Sequence, residues 1–284
     1  MAHMKKYIFV ICIYYISTFT FKFVSNKSVA NLRVYFLDVG QGDAIYIDYK
    51  NGPKILIDAG PGDEIERYLP DLFSFPNCSF DLVIITHLHQ DHLEGILPIL
   101  DKCKSGMFWI NDVHQTTNLY KRFHEKIALK KNLNMQLSNV FTNKKFTYGN
   151  LTLISLWPTE NFYKNFNPDT DNLNDISTVT LLDYNGFDML LTGDVSYSIL
   201  NRLNYSDFLP TTKHGIDVLN VPHHGSVTGL NKTTMLLLQP KTCVISVGIN
   251  GYKLPSSATL LLLKTNLCAL KRTDSDGTIE FDIN

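Results

Sequence analysis

The segment at residues 87–92, which reads His-Leu-His-Gln-Asp-His, constrains this chain more than any other stretch of its sequence. The continuous apolar run at residues 81–86 predicts a buried strand directly before it. Leucine and isoleucine recur with helical spacing at residues 93–103, directly after it. The segment is therefore expected to be a loop between a strand and a helix, and it is crowded with side chains that can bind a metal ion.

The spacing within this loop predicts two neighbouring binding points. His87 and His89 are two residues apart, and in an extended segment such side chains project to the same side. Asp91 and His92 follow at once and can turn toward a second point nearby. Imidazole and carboxylate groups together suit zinc, iron or manganese. The loop is thus a candidate metal site.

Two later loops also place polar side chains at the ends of apolar runs. Residues 191–194 read Leu-Thr-Gly-Asp, and residues 221–226 read Val-Pro-His-His-Gly-Ser. Asp194 is open to two interpretations, because it can bind metal or simply cap a following helix. His223 and His224 favour metal binding more strongly, since a buried strand that ends in two histidines needs a reason for its polar end.

Short β-rich runs separated by turn signals dominate the rest of the chain, with helical patterns between them. Asn185-Gly186 predicts a tight hairpin, because both residues tolerate positive φ angles. No linker divides the chain. The predicted strands are residues 32–37, 44–49, 54–57, 81–86, 107–110, 151–156, 177–183, 187–192, 218–221, 243–247 and 278–281, with others near residues 140 and 146. The predicted helices are residues 93–103, 118–133, 196–203 and 233–238.

The first thirty residues differ in character from the remainder. Two lysines precede an apolar run, and small residues close the segment, as in an export signal. Residues 1–30 are therefore expected to be a signal peptide, or an N-terminal anchor that associates with a membrane through residues 7–24. Residues 31–284 are expected to be one domain. The formal net charge of -1 argues against a broad basic surface for nucleic acid.

Four cysteines lie beyond residue 30, at positions 78, 103, 243 and 268. One or two disulfides are possible in an oxidising compartment. The favoured interpretation is that they are ordinary core residues, because Cys243 lies within an apolar run.

Five motifs together resemble the hydrolase domain of the ComEC family of bacterial DNA-uptake proteins, within the metallo-β-lactamase fold. The resemblance extends from about Leu32 to Ile279, but no multi-helix membrane channel accompanies it. It implies an α/β (α+β) chain folded as a four-layer αββα sandwich, with two divalent metal ions, zinc or manganese, at one edge. The five motifs, which occur in addition to residues 87–92, are residues 36–44, 191–194, 221–226, 245–248 and 272–279.

The resemblance also implies roles for individual residues. His87 and His89 would bind the first metal, and Asp91 and His92 the second. Asp194 would bridge the two. The remaining ligands are a set of alternatives: His223 or His224 would complete the second site, and Asp175 or Asn174 would replace a histidine that many family members have in the first site. Asp58 would support the histidine loop without binding metal.

Phosphodiester hydrolysis is the reaction that this site implies, since a metal pair suits attack on a phosphoryl group. Asp91 and His224 are the candidates for direct catalytic roles. The leaving group would receive its proton from His224, Ser226 or a water molecule. The expected protein is an exported nuclease for DNA or RNA. The alternatives are a cell-envelope phosphodiesterase, such as a phosphocholine esterase, and a non-catalytic DNA-binding module for DNA uptake.

Three other features have two interpretations each. Asp38 and Asp43 flank a Gly-Gln-Gly turn and either border the active site or only form a tight turn. The lysines and arginine of residues 118–133 favour a solvated helix face over a nucleic-acid contact. Residues 158–174, rich in Asn, Asp, Phe and Tyr, are expected to be a long loop, and residues 161–172 of it form either a lid over the metals or a plain surface loop.

Overall fold

The computed structural model describes residues 30–73, 77–131, 135–205 and 215–284, and arranges them around two β-sheets. The predicted export signal or anchor at residues 1–30 lies outside these ranges, apart from its last residue. No helix within the described ranges is long and apolar enough to span a bilayer.

Sheet A contains the first half of the chain and its last strand. Its order is β14-β1-β2-β3-β4-β5-β6. The pairing is antiparallel from β14 to β3 and parallel from β3 to β6. Its strands are β1 (Leu32–Phe36), β2 (Ile45–Tyr49), β3 (Lys54–Ile57), β4 (Ser79–Ile85), β5 (Lys104–Ile110), β6 (Gln136–Ser138) and β14 (Ile279–Ile283).

Sheet B has the order β13-β12-β11-β10-β9-β8-β7. Its pairing is antiparallel from β7 to β10 and parallel from β10 to β13. Asn185 and Gly186 join β9 to β10 with positive φ angles, which confirms the predicted hairpin. The strands are β7 (Lys145–Tyr148), β8 (Leu151–Trp157), β9 (Val179–Tyr184), β10 (Phe187–Leu191), β11 (Val218–Asn220), β12 (Thr242–Ile245) and β13 (Ala269–Arg272).

Helices cover the outer faces of both sheets. The α-helices are α1 (Leu69–Leu72), α2 (Gln90–Leu93), α3 (Ile96–Lys102), α4 (Asn118–Lys131), α5 (Glu160–Asn165), α6 (Tyr197–Leu200), α7 (Lys232–Leu238), α8 (Ser257–Thr265) and α9 (Thr273–Asp276). Short 3-10 helices occupy Glu64–Tyr68, Leu173–Ile176 and Pro222–Gly225.

Three apolar cores hold these layers together. The central core packs Leu82 and Trp109 of sheet A against Leu153 and Leu182 of sheet B. A second core fills the space between sheet A and helices α3 and α4, and a third lies between sheet B and helices α7 and α8. Helix, sheet, sheet and helix therefore stack in four layers. This arrangement confirms the predicted αββα sandwich.

Several predicted elements differ from the observed ones. The segment at residues 158–174 contains helix α5, which Thr159 caps by accepting from the backbone N–H of Phe162. Helix α8 was not predicted, because its continuous leucine run lacks helical periodicity. Val140 is buried but lies just after β6, not in a strand.

The favoured interpretation of the cysteines is wrong. Cys78 is bonded to Cys103, and Cys243 is bonded to Cys268. Each bridge joins residues 25 positions apart, and one lies beside each sheet. The pairing depends on strand and helix packing that the apolar run around Cys243 does not reveal.

Candidate metal centre

Most of the predicted ligands follow the carboxyl ends of parallel strands. His87 comes after β4, Asp194 after β10, and His223 and His224 after β11. Sheets A and B face each other across the central core, so these strand ends meet at one edge of the sandwich. This edge is where open α/β sheets bind their ligands.

Among the described residues, the structure assembles two groups of metal-binding side chains that share Asp194. Asp91, His92, Asp194 and His224 form one group, and His87, His89 and Asp194 form the other. Within each group the ligand atoms lie within 4.8 Å of one another. We refer to the group with His87 as the first group and to the group with Asp91 as the second group.

Three buried polar atoms in the second group lack hydrogen-bond partners. They are His92 Nε2, Asp194 Oδ1 and His224 Nε2. His92 Nε2 lies 3.3 Å from Asp194 Oδ1, and His224 Nε2 lies 3.6 Å from the same oxygen. Unpaired buried polar atoms are costly, and a cation at their meeting point would satisfy all three. The residues present therefore fit a divalent metal ion.

Asp58 fixes the orientation of the histidine loop. Its carboxylate accepts hydrogen bonds from the Thr86 backbone N–H at 2.8 Å, the Thr86 hydroxyl at 2.6 Å and His92 Nδ1 at 2.7 Å. Because Nδ1 donates to Asp58, His92 presents Nε2 to the metal position. This contact is the supporting role that the resemblance implied, of the kind that orients metal-bound histidines in proteins.

The same logic sets the tautomer of His87. The Thr86 hydroxyl gives its proton to Asp58, so it accepts from His87 Nδ1 at 3.2 Å. His87 Nε2 is thereby directed to the first group, 3.0 Å from His89 Nδ1. Two nitrogens bound to one tetrahedral zinc at ordinary bond lengths are about 3.3 Å apart, so this spacing suits a shared metal ion.

His223 and His224 lie in an unusual turn. Both have left-handed backbone angles, with φ of 53° and 52°, and Gly225 follows at 80°. Non-glycine residues in this region are strained, and such strain is concentrated at functional sites. The turn lets adjacent histidines face adjacent groups. His224 donates from Nδ1 to the Ser246 carbonyl at 2.8 Å and directs Nε2 to the second group.

His223, in contrast, faces the first group. Its Nε2 lies 4.0 Å from Asp194 Oδ2, and its ring lies 3.3 Å from the Asn174 side-chain amide. Asn174 is buried, and its Oδ1 has no partner within the described residues. Of the alternatives left open by the sequence, the structure thus brings His224 to the second group, and His223 with Asn174 to the side of the first.

Asp175 points elsewhere. Its Oδ1 accepts from the backbone N–H of Ser196 at 3.0 Å, at the start of helix α6. The metal-binding groups found among the described residues do not include it. The prediction that Asp175 or Asn174 supplies an oxygen to the first site is therefore better met by Asn174.

Replacing His223 tests its position beside the first group. We expect His223→Ala to weaken binding of one of the two metal equivalents by about 10- to 100-fold and to leave the other unchanged. Isothermal titration with Mn²⁺ or Zn²⁺ measures both. Equal loss of both equivalents, or loss of neither, would contradict the assignment.

Charges within the centre shift the pKa values of its members in opposite directions. Burial lowers the pKa values of His87 and His89. Burial also opposes protonation of His92 and His224, but nearby carboxylates outweigh it. Asp194 and Asp58 hold the pKa of His92 well above its usual range, and Asp194 with Asp91 raises that of His224 to about 9. The second group therefore holds protons where a metal would bind.

These protons make metal binding dependent on pH. A metal ligand must be deprotonated, so binding to the second group has to displace protons from His92 and His224. We expect the affinity to rise by up to about tenfold per pH unit for each displaced proton until the pH nears 9, the raised pKa of His224. Titration calorimetry in buffers of different ionisation enthalpy counts the released protons. An affinity that falls as pH rises would contradict this charge arrangement.

Asp43, but not Asp38, belongs to the surroundings of the centre. Asp43 is buried, and burial raises its pKa, although the charges of His224 and His92 oppose the rise. Its backbone N–H donates to the Asp91 carbonyl at 3.2 Å. Asp38 lies farther out, where its carbonyl accepts from Arg67 and Tyr68.

Gly42 allows the turn before Asp43 to approach the histidine loop. Its φ is 148°, and an added Cβ would lie 2.2 Å from the Asp91 carbonyl oxygen. We expect Gly42→Ala to displace Asp91 and to lower the free energy of unfolding by roughly 2 kcal/mol or more. Gly251 has open space around it, so Gly251→Ala is the matched control. Equal Tm values for both variants and the parent would show that the close approach of Gly42 to Asp91 does not contribute to stability.

His224 and Ser226, the two side chains predicted to protonate a leaving group, both have other contacts. Both ring nitrogens of His224 are engaged, one by Ser246 and one within the second group, which leaves none to protonate a leaving group. Ser226 Oγ lies 3.0 Å from Thr228 Oγ1 on the same turn. Thr86 and Ser246 were not predicted to contribute, and the signal for Thr86 was a polar residue ending an apolar strand.

Comparison with known proteins agrees with this geometry. Residues 37–106, which include the histidine loop, match the family model described as the Metallo-beta-lactamase superfamily. The structure is similar to the solved structure of Tm1679, a metal-dependent hydrolase of the beta-lactamase superfamily, with a TM-score of 0.54 and 14% identity over 89% of this chain and 99% of that one. This chain is a metallo-β-lactamase-fold protein.

Two curated relatives refine the comparison. ComE operon protein 3 of Bacillus subtilis (strain 168) is 26% identical over 88% of this metallo-β-lactamase-fold protein, which spans about a third of its relative's length (33%). This match confirms the resemblance to ComEC. Ribonuclease Z of Clostridioides difficile (strain 630) is 43% identical over a short stretch, 20% of this chain and 17% of that protein.

Proposed function

We propose that this protein is a phosphodiester hydrolase that uses two divalent cations, zinc or manganese. The observation that carries the proposal is the position of Asp194, whose buried carboxylate belongs to both ligand groups. Two cations held there would be neighbours. When bound, such a pair activates water for in-line attack and stabilises charge on the phosphoryl oxygens, as in many nucleases and phosphatases.

The chain's own residues hold this site in a fixed arrangement. Asp58, Thr86 and the Ser246 carbonyl fix the rings of three buried histidines, so each directs Nε2 to its ligand group. These contacts hold the ligand nitrogens of the three histidines toward the metal positions.

Asp91 is the most exposed ligand of the second group. Its side chain is 32% exposed, whereas those of His92, Asp194 and His224 are almost completely buried. Burial would raise its pKa, but His224, whose Nε2 lies 3.3 Å from Asp91 Oδ2, and the charge of His92 keep that pKa below its usual value. Asp91 therefore stays ionised and can accept a hydrogen bond from the attacking water molecule. His224 acts by binding, not by donating a proton.

We further propose that the substrate is DNA or RNA and that the protein acts outside the cytoplasm. The local similarity to ribonuclease Z supports the first part. The two disulfides support the second, because such bonds persist mainly in oxidising compartments. Export or membrane attachment would depend on residues 1–30, which have the composition of a signal or an anchor.

A panel of substrates tests the activity. The purified protein, supplied with Mn²⁺ or Zn²⁺, is incubated with bis(p-nitrophenyl) phosphate, single-stranded DNA, RNA and a phosphocholine ester. We expect hydrolysis of the nitrophenyl ester and of at least one nucleic acid, and His89→Ala should abolish both.

The alternatives correspond to other outcomes of this panel. Preferential hydrolysis of the phosphocholine ester would indicate a cell-envelope phosphodiesterase. DNA binding without hydrolysis of any ester, unaffected by His89→Ala, would indicate a non-catalytic DNA-binding module. The second outcome would overturn the proposed activity. The unpaired buried atoms of the second group argue against it, since DNA binding alone does not require them.

A further inference from the structure

A groove runs along the start of helix α4, at the same edge of sheet A as the metal centre. Two adjoining cavities, of about 260 and 510 Å³, share His114, Gln115 and Thr116 in their walls. The first extends to Leu173, and the second extends along α4 to Tyr120, Lys121 and His124. We call this combined space the α4 groove.

The groove is connected to the metal centre through short contacts. Strand β5 lies parallel to β4, with Ile110 opposite Ile85, so the two chains leave the sheet side by side. Asn111 lies 3.4 Å from the Thr178 hydroxyl, and the Thr178 backbone N–H donates to the carbonyl of Thr86 at 3.0 Å. Thr86 directly precedes His87.

The groove also comes close to the first ligand group through residues 173 and 174. Leu173 lines the groove, and the next residue, Asn174, lies 3.3 Å from the ring of His223. The first ligand group and the groove are therefore neighbours in the fold.

Three rings form one wall of the groove. The ring centroids of His114 and Tyr120 are 5.4 Å apart, and those of Tyr120 and His124 are 4.3 Å apart. Asp112 holds this set in place, because its carboxylate lies 3.2 Å from His124 Nε2 and its backbone carbonyl accepts from Tyr163 at 2.7 Å. His114 is the exposed end of the set, where another flat ring can stack.

The polar groups of the groove suit a nucleotide. Lys121 is exposed and supplies a positive charge for a phosphate. Glu125 and Asp169 supply acceptors for the amino groups of bases. Bases stack on aromatic side chains with little dependence on sequence.

We propose that the α4 groove binds the nucleotide next to the scissile phosphate of a single-stranded nucleic acid, with its base on His114 and its outer phosphate near Lys121. The inference rests on the proposed phosphodiesterase function and specifies the substrate for that site. The groove would raise the affinity for a strand without changing the reaction of a small ester that cannot reach it.

The test compares a short single-stranded oligonucleotide with bis(p-nitrophenyl) phosphate on the metal-loaded protein. We expect His114→Ala and Lys121→Ala each to raise KM for the oligonucleotide by about tenfold. The kcat/KM for the small ester should stay within about twofold of the parent. His114→Phe keeps a ring and should restore most of the oligonucleotide affinity. Arg122→Ala removes a charge that is also exposed but lies outside the groove lining, and it is the matched control.

Fluorescence anisotropy of the labelled oligonucleotide on metal-free protein gives a readout independent of catalysis. Weaker binding by His114→Ala and Lys121→Ala, but not by Arg122→Ala, would support the groove even if no ester is hydrolysed and the proposed activity fails. Hydrolysis of the small ester with no oligonucleotide effect in either variant would overturn the groove and leave the activity standing. An equal loss of oligonucleotide binding in the Arg122→Ala variant would show that the effect comes from the overall positive charge of the helix. That result would also overturn the proposed groove.

Discussion

The Asp194→Asn variant is expected to lower kcat/KM for bis(p-nitrophenyl) phosphate by at least about a thousandfold, on the order of 4 kcal/mol of transition-state stabilisation. Asp194 is shared by the two ligand groups and is buried. The charges of His224 and His92 keep its pKa well below the usual range despite burial, so the native residue is a carboxylate at neutral pH. The amide lacks that negative charge and should hold fewer than two metal equivalents.

Asp175→Asn is the matched control for this variant. Asp175 accepts a hydrogen bond from the Ser196 backbone, and it is absent from the ligand groups found in the described part of the chain. Asparagine keeps a side-chain oxygen that can accept from Ser196, so the variant should change stability little and leave metal stoichiometry unchanged. If both variants lose metal and activity alike, the assignment of Asp194 as the shared ligand is wrong.

Removal of either disulfide is the second change with a large expected effect. Each bridge closes a loop between residues 25 positions apart, and the entropy of such a loop predicts a loss of roughly 3 kcal/mol. For a domain of this size that loss corresponds to about 10 °C in Tm. Because Cys243 and Cys268 are buried, the double alanine variant avoids adding a polar group to the core.

Thermal unfolding of the double alanine variants and a thiol assay on the parent together measure this effect. In the denatured parent without its bridges reduced, the assay should find no reactive thiol other than Cys12, since the other four cysteines are paired. Five reactive thiols, with a Tm unaffected by the alanine pairs, would show that the bridges do not form. That result would also remove the main structural support for a location outside the cytoplasm.

The fold was largely predictable from the sequence because its strands are short, apolar and separated by clear turn signals. The parallel strands end directly at their polar residues, as β4 does at Thr86 and His87. A polar residue at the end of a buried strand can therefore be recognised as a candidate site residue without knowledge of the residues that surround it in the fold. Helix α8 was missed for the opposite reason, since four consecutive leucines carry no periodicity.

The contacts that complete the site were less predictable because they join distant segments. Asp43 reaches the site because its turn packs on the backbone of Asp91. The sequence shows a glycine at position 42, but it does not show that this glycine lies against Asp91. The sequence could not assign His223 and His224 to different groups, because that separation depends on two consecutive left-handed residues. The choice between Asn174 and Asp175 likewise depends on the direction of one 3-10 turn.

Metal titration of hydrolysis tests the central claim most directly. Metal-free protein receives increasing equivalents of Mn²⁺ or Zn²⁺, and hydrolysis of bis(p-nitrophenyl) phosphate is measured after each addition. The two ligand groups predict activity that rises to a plateau at about two equivalents and is absent at every point from His89→Ala. Hydrolysis that is absent throughout, or that is the same in His89→Ala, would contradict the account.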